Sequence, residues 1–157
     1  MIVDERLSKA KFERDSAPLL QSPESYSAVG IRVIRVEFPV IEVGIFWKKM
    51  QCEITLHIEA DEYDYLPVRG WWIDENGKSL RKGGGFIPRN IGFQTEDGHP
   101  SKHIQSWFCF RGWREYHDHE SHQDIPWASI RHNPQYRLPG IIIQLSTDLN
   151  RPEVQPI

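Results

Sequence analysis

The chain has 157 residues, 39% of them hydrophobic and 26% charged, which is the size and make-up of one globular domain that buries a core without an obligatory disulfide or metal. Its formal net charge of -3 argues against a nucleic-acid or anionic-membrane partner held by bulk charge. The opening residues, MIVDERLSKAKFERD, lack the apolar stretch of a secretory signal, and no run approaches the roughly 18 apolar residues that a span needs. A cytoplasmic protein with no membrane and no nucleic-acid partner is expected, and in that reducing setting Cys52 and Cys109 are read as thiols.

Taken in chain order, Asp4 has the chemistry of a helix N-cap, and ERLSKAKFERD predicts a helix running up to Pro18 with Leu7, Ala10 and Phe12 on its buried side. Residues 31–47, IRVIRVEFPVIEVGIFW, are dense in β-branched and aromatic residues and predict a strand broken or bent at Pro39. From residue 52, Cys52, Ile54, Leu56 and Ile58 alternate with polar residues, a period of two that places Cys52 inward with the apolar face. After the acidic turn ADEYDY, LPVRGWWID predicts a third strand, and DENGK supplies an Asn-Gly reversal.

Residues 82–100 read as an irregular crossing loop; the run Gly83-Gly84-Gly85 lacks the Lys-Ser/Thr ending of a phosphate loop. Residues 138–149 predict a C-terminal helix burying Ile142, Leu145 and Leu149, with Pro139 in its first turn. The expected fold is a single α+β domain over 1–157, an antiparallel β-meander flanked by an N-terminal and a C-terminal helix.

Chemistry-bearing residues concentrate between His99 and His122. Cys109, Glu115, His117, His119 and His122 fall within fourteen residues, and thiolate, carboxylate and imidazole are the ligand types of zinc. Three such ligands and an open position would permit hydrolysis with Glu120 as base, whereas four would make a structural site. No paired Cys-x-x-Cys knuckle accompanies them, so a solvated polar loop is the competing reading. A second pattern is His99-Pro100-Ser101 followed eight residues later by Cys109. A nucleophilic cysteine needs partial exposure and a nearby cation or imidazole, which Arg111, Arg114 and the histidines offer; otherwise Cys109 is a small hydrophobe beside Trp107, Phe108 and Phe110. Trp71, Trp72, Trp107 and Trp113 read either as core or as an exposed docking surface.

The order of these features resembles the ubiquitin-conjugating, or E2, fold. Arg6-Leu7-Ser8-Lys9 opens the first helix, and Tyr63-Asp64-Tyr65-Leu66-Pro67 is a loose counterpart of a Tyr-Pro-rich segment. His99-Pro100-Ser101 and Cys109 keep the spacing of a His-Pro-Asn tripeptide and its active-site cysteine, and Pro126-Trp127 and 138–152 resemble the later Trp loop and helix. The resemblance implies that Cys109 accepts a ubiquitin-like modifier as a thioester from an E1-like activating enzyme. His99 would hold the turn, Ser101 would stand where the family has its oxyanion-stabilising Asn, and His117 or His119 would deprotonate the acceptor. The cluster is also similar to a bacterial group of predicted metal-binding proteins with a Cys-Glu-His-His signature, whose genes accompany ubiquitin-like modification systems. That likeness implies zinc on Cys109, Glu115, His117 and His119. A third reading keeps an E2-like surface as a binding module without catalysis.

Overall fold

The computed structural model describes residues 3–96 and 105–157. Helix α1 (Glu5–Gln21) begins where Asp4 accepts a hydrogen bond from the backbone N–H of Arg6 at 2.9 Å. It runs through Pro18 rather than stopping before it, because the carbonyl deprived of a partner is that of Arg14, on the exposed side. Its buried stripe is Ser8, Phe12, Ser16 and Leu19, one face at steps of four and three. Only Phe12 of the three expected residues is buried; Leu7 and Ala10 lie off that stripe and face solvent.

A short helix, α2 (Pro23–Ser27), leads into a four-stranded antiparallel sheet of β1 (Ile31–Glu37), β2 (Val40–Trp47), β3 (Cys52–Glu59) and β4 (Arg69–Ile73), in that order. The span 31–47 is therefore two strands and not one bent strand, with Phe38-Pro39 as their turn. Proline cannot donate to a ladder, so it sits where the ladder ends. The register stacks Ile31, Ile45 and Ile54 in one inner row, and Val43, Leu56 and Trp72 in the next. Arg32 reaches across the bare Gly44 to grip Glu53 on the outer face, at 2.7 Å.

Cys52 keeps the parity of Ile54 and Leu56 yet is exposed, contrary to expectation. It stands at the strand's end, beyond the cover of the core, on a cleft of about 350 Å3 shared with Trp47, Met50 and Leu80. The Asn-Gly reversal is present: Asp74 accepts from the N–H groups of Asn76 and Lys78, and Gly77 takes a φ of 79°.

The described part of 82–100 is less irregular than expected. It holds β5 (Pro88–Arg89), which pairs with β8 (Gln155–Pro156), and β6 (Phe93–Gln94), which pairs with β7 (Trp107–Phe108). Three helices follow: α3 (Arg114–Asp118), α4 (Trp127–Ile130) and α5 (Gly140–Leu149). Helix α5 buries Ile141, Ile142, Leu145 and Leu149, which includes the expected stripe. One apolar cluster joins Phe12 and Leu19 of α1, the inner sheet face and α5. Trp72, Trp107 and Trp113 belong to the core, while Trp71 lies half-buried on the outer face against His57. Among the described residues no helix is long and apolar enough to cross a membrane.

Candidate thiol–imidazole site

Cys109 is placed by the aromatic residues on either side of it. Phe108 is buried in edge-on contact with Trp72 at 5.2 Å and Trp113 at 4.8 Å, and Phe110 packs edge-on against Phe93 at 5.0 Å. The Phe110 ring lies over Gly92, where any Cβ would strike it. Between these anchors the Cys109 backbone N–H donates to the Gly92 carbonyl at 2.7 Å, extending the β6–β7 ladder by one bond. The thiol is left half-buried, and that burial pushes its pKa above the ordinary thiol value.

The segment that carries His122 is anchored by Trp113. Gly70 lacks the Cβ that would crowd its indole, so the ring seats directly on β4. The Trp113 N–H donates to Phe110 and the Arg114 N–H to Val68, fixing the start of α3 against the sheet. The chain then turns through residues 120–122 and presents His122 Nε2 3.6 Å from Cys109 Sγ. Its imidazole stacks on Tyr116 with ring centres 3.9 Å apart and planes 9° apart, so the ring is oriented by packing.

The other residues of the cluster do not join this pair. His117 Nδ1–H donates to the Ile125 carbonyl at 3.1 Å and Nε2 accepts from the Gly112 N–H at 3.0 Å, an arrangement that assigns a neutral imidazole. Burial pushes its pKa below the ordinary imidazole value, in the same sense. Both ring nitrogens are engaged, so a base or ligand role for His117 would require one of these bonds to break. His119 Nδ1 accepts from the Ser121 N–H, and its ring centre lies 5.6 Å from that of His122. Glu115 is 3% exposed, its Oε2 has no hydrogen-bond partner, and burial pushes its carboxyl up to about 7. Glu120 is at the surface.

Of the two expected cations, Arg114 is committed elsewhere, to the Pro67 carbonyl and Asp61, while Arg111 is exposed and its pKa is held above the ordinary value by the phenols of Tyr116 and Tyr136 beside it. His99 and Ser101 lie outside the described residues. Among the described residues no three His, Cys, Asp or Glu side chains converge as a metal site.

Sequence reasoning did not single out the Cys109–His122 pair or the Tyr116 stack. Thirteen residues separate the pair along a segment without a repeating period, so only the fold closes the distance. The one available signal was composition, a thiol and three imidazoles in a short stretch. No protein-family model matches the sequence, and no curated protein matches it.

Proposed function

We propose that the chain is an E2-like carrier in a bacterial ubiquitin-like modification pathway, taking the modifier as a thioester on Cys109 from an E1-like activating enzyme. The observation that carries this reading is the 3.6 Å approach of His122 Nε2 to a half-buried thiol. Its setting supports the reading too: an N-terminal helix, a meander in the order β1-β2-β3-β4, then a cysteine on the crossing segment before a C-terminal helix. A thiol whose pKa is raised by burial forms little thiolate unaided, and an adjacent imidazole removes that obstacle. His122 Nε2 takes the Sγ proton as Sγ attacks the donor thioester carbonyl. The Sγ–C bond forms, the donor S–C bond breaks, and the departing thiolate recovers the proton from the imidazolium. His99 and Ser101 keep the roles that the E2 resemblance gives them, the turn and the oxyanion position.

Ubiquitin activated as a small-molecule thioester tests the step without the natural partners. The wild type is expected to form an adduct that dithiothreitol removes, and Cys109→Ala to form none. His122→Gln should slow charging by about 100-fold, the lower range for loss of a positioned base. An adduct of equal yield on Cys109→Ala would overturn the assignment.

One observation favours the zinc reading. Zinc–sulfur and zinc–nitrogen bonds of about 2.3 and 2.0 Å at a tetrahedral angle set the two donor atoms about 3.5 Å apart, close to the spacing of Cys109 and His122. The pair fits two corners of such a site, and bound zinc would hold Cys109 as thiolate. Native mass spectra after equilibration with zinc decide between the readings. One zinc per chain, lost in Cys109→Ser together with a raised melting temperature, would make the cysteine a ligand. A zinc-free wild type leaves it a thiol for transfer.

A further inference from the structure

At the end of the sheet opposite the Phe38-Pro39 turn, Cys52 opens onto the cleft of about 350 Å3, a volume at the low end of the roughly 300–1,000 Å3 seen for ligand sites. Three segments build it. Residues 48–51 form one wall, where Gln51 Nε2 donates to the Lys48 carbonyl at 2.6 Å and Met50 packs against the core. The Asn-Gly reversal forms the second, tied to β4 by the Leu80 N–H donated to the Trp72 carbonyl at 2.9 Å. The third carries Phe86. The N–H groups of Gly85 and Ile87, on either side of it, both donate to the Ile157 carbonyl, yet the Phe86 side chain is 63% exposed. A backbone clamped on both sides thus holds an aromatic ring in water, and its apolar surface is left for something else to cover.

Charge narrows what that is. Glu53, Asp74 and Glu75 line the cleft, and among the described residues no lysine, arginine or histidine does. Glu53 is gripped by Arg32, and Asp74 spends one oxygen on the N–H groups of Asn76 and Lys78. Glu75 is exposed and has no ion pair or hydrogen-bond partner among the described residues, so its carboxylate is open to a ligand lying in the cleft. A cation gains here twice, from the carboxylates and from the face of the Phe86 ring. An anion is repelled by the same groups.

We propose that this cleft docks an extended segment of a partner protein that presents a lysine or arginine beside a large apolar residue. The cation lies among Asp74, Glu75 and the Phe86 ring, its alkyl stem along the apolar wall, and the neighbouring apolar side chain covers Met50 and Leu80. The docking is independent of what Cys109 does.

The test uses acetyl-Leu-Lys-amide as the probe, beside a norleucine twin that keeps the stem without the charge and a glutamate twin that reverses it. Binding to the wild-type chain is read from the backbone amide NMR signals of Cys52, Leu80 and Phe86. The lysine probe is expected to bind roughly three- to tenfold tighter than the norleucine twin, the combined range for an exposed ion pair and a cation on an aromatic face, and the glutamate twin weakest. Asp74→Asn keeps the acceptor for Asn76 and Lys78, and together with Glu75→Gln it should erase most of the preference for lysine. Phe86→Ala should weaken both the lysine and the norleucine probe. Equal affinities for these two, a preference that survives the double substitution, shifts spread over the surface without focus on the cleft, or no binding at millimolar probe would overturn the inference.

Discussion

Glu115 shows how one residue type can hold different jobs. Read from its neighbours in sequence it is a zinc ligand, and in the fold it is a carboxyl 3% exposed with an unpartnered oxygen. Its folded pKa of about 7 lies above the ordinary 4.5, so the folded chain binds this proton more tightly than the unfolded chain does. The stability it contributes is full below about pH 4.5 and is lost as pH rises through 7. The loss amounts to at most about 3.5 kcal/mol, because each tenfold difference in proton affinity between the folded and unfolded chains is worth about 1.4 kcal/mol. Glu115→Gln keeps the shape and removes the titration. Urea unfolding at pH 5 and pH 8 should show the wild type losing stability relative to Glu115→Gln across that window. A difference between the two proteins that does not change with pH would mean that the carboxyl is not desolvated as described.

At the scale of elements, alternation exposed the sheet and concealed its limits. The period of two in β3 put Ile54, Leu56 and Ile58 on the inner face correctly, but parity says nothing about where cover ends, and Cys52 lies beyond it. The helix stripe of α1 was misjudged for a related reason: Leu7 and Ala10 are apolar, yet the turn that meets the sheet is set by Phe12 and Leu19. What locks α1 to the rest is polar. Arg137, just ahead of α5, bonds Asp15 of α1 at 2.5 Å and Asp64 at 2.6 Å, and the Tyr63 phenol donates to Asp15 at 2.7 Å. Three distant segments meet on one guanidinium that is 17% exposed. Truncating it leaves Asp64 with Lys11 and Asp15 with Arg14 and the Tyr63 phenol, so Arg137→Ala should cost about 2 kcal/mol in urea unfolding, the range for losing hydrogen bonds to a charged group. A cost below about 1 kcal/mol would place the cluster with ordinary surface ion pairs.

For the whole molecule, what was legible in the sequence is what short-range periodicity encodes: the first helix, the meander and the last helix. The arm from residue 82 onward was not, because its two-residue strands β5 and β6 find partners in β8 and β7, and β8 lies more than 60 residues away. The candidate site depends on that arm. Gly92, which accepts the bond from Cys109, sits between β5 and β6, and β5 is tied down by the last residues of the chain. Ile157 accepts from the N–H groups of Gly85 and Ile87 and donates to Ile87, while Val154 is fully buried in the core. Ending the chain after Val154 removes these clamps and leaves the core contact. Losing the three Ile157 bonds and the short β5–β8 pairing in a partly exposed setting should cost about 2–4 kcal/mol, with the four-stranded sheet still folded. Amide exchange should then speed up at Phe93 and Cys109 while Val43 and Leu56 keep their protection, and iodoacetamide should reach the Cys109 thiol faster. Unchanged exchange at Cys109 in the truncated chain would show that the aromatic packing around Phe108 and Phe110 holds the thiol in place without the clamp.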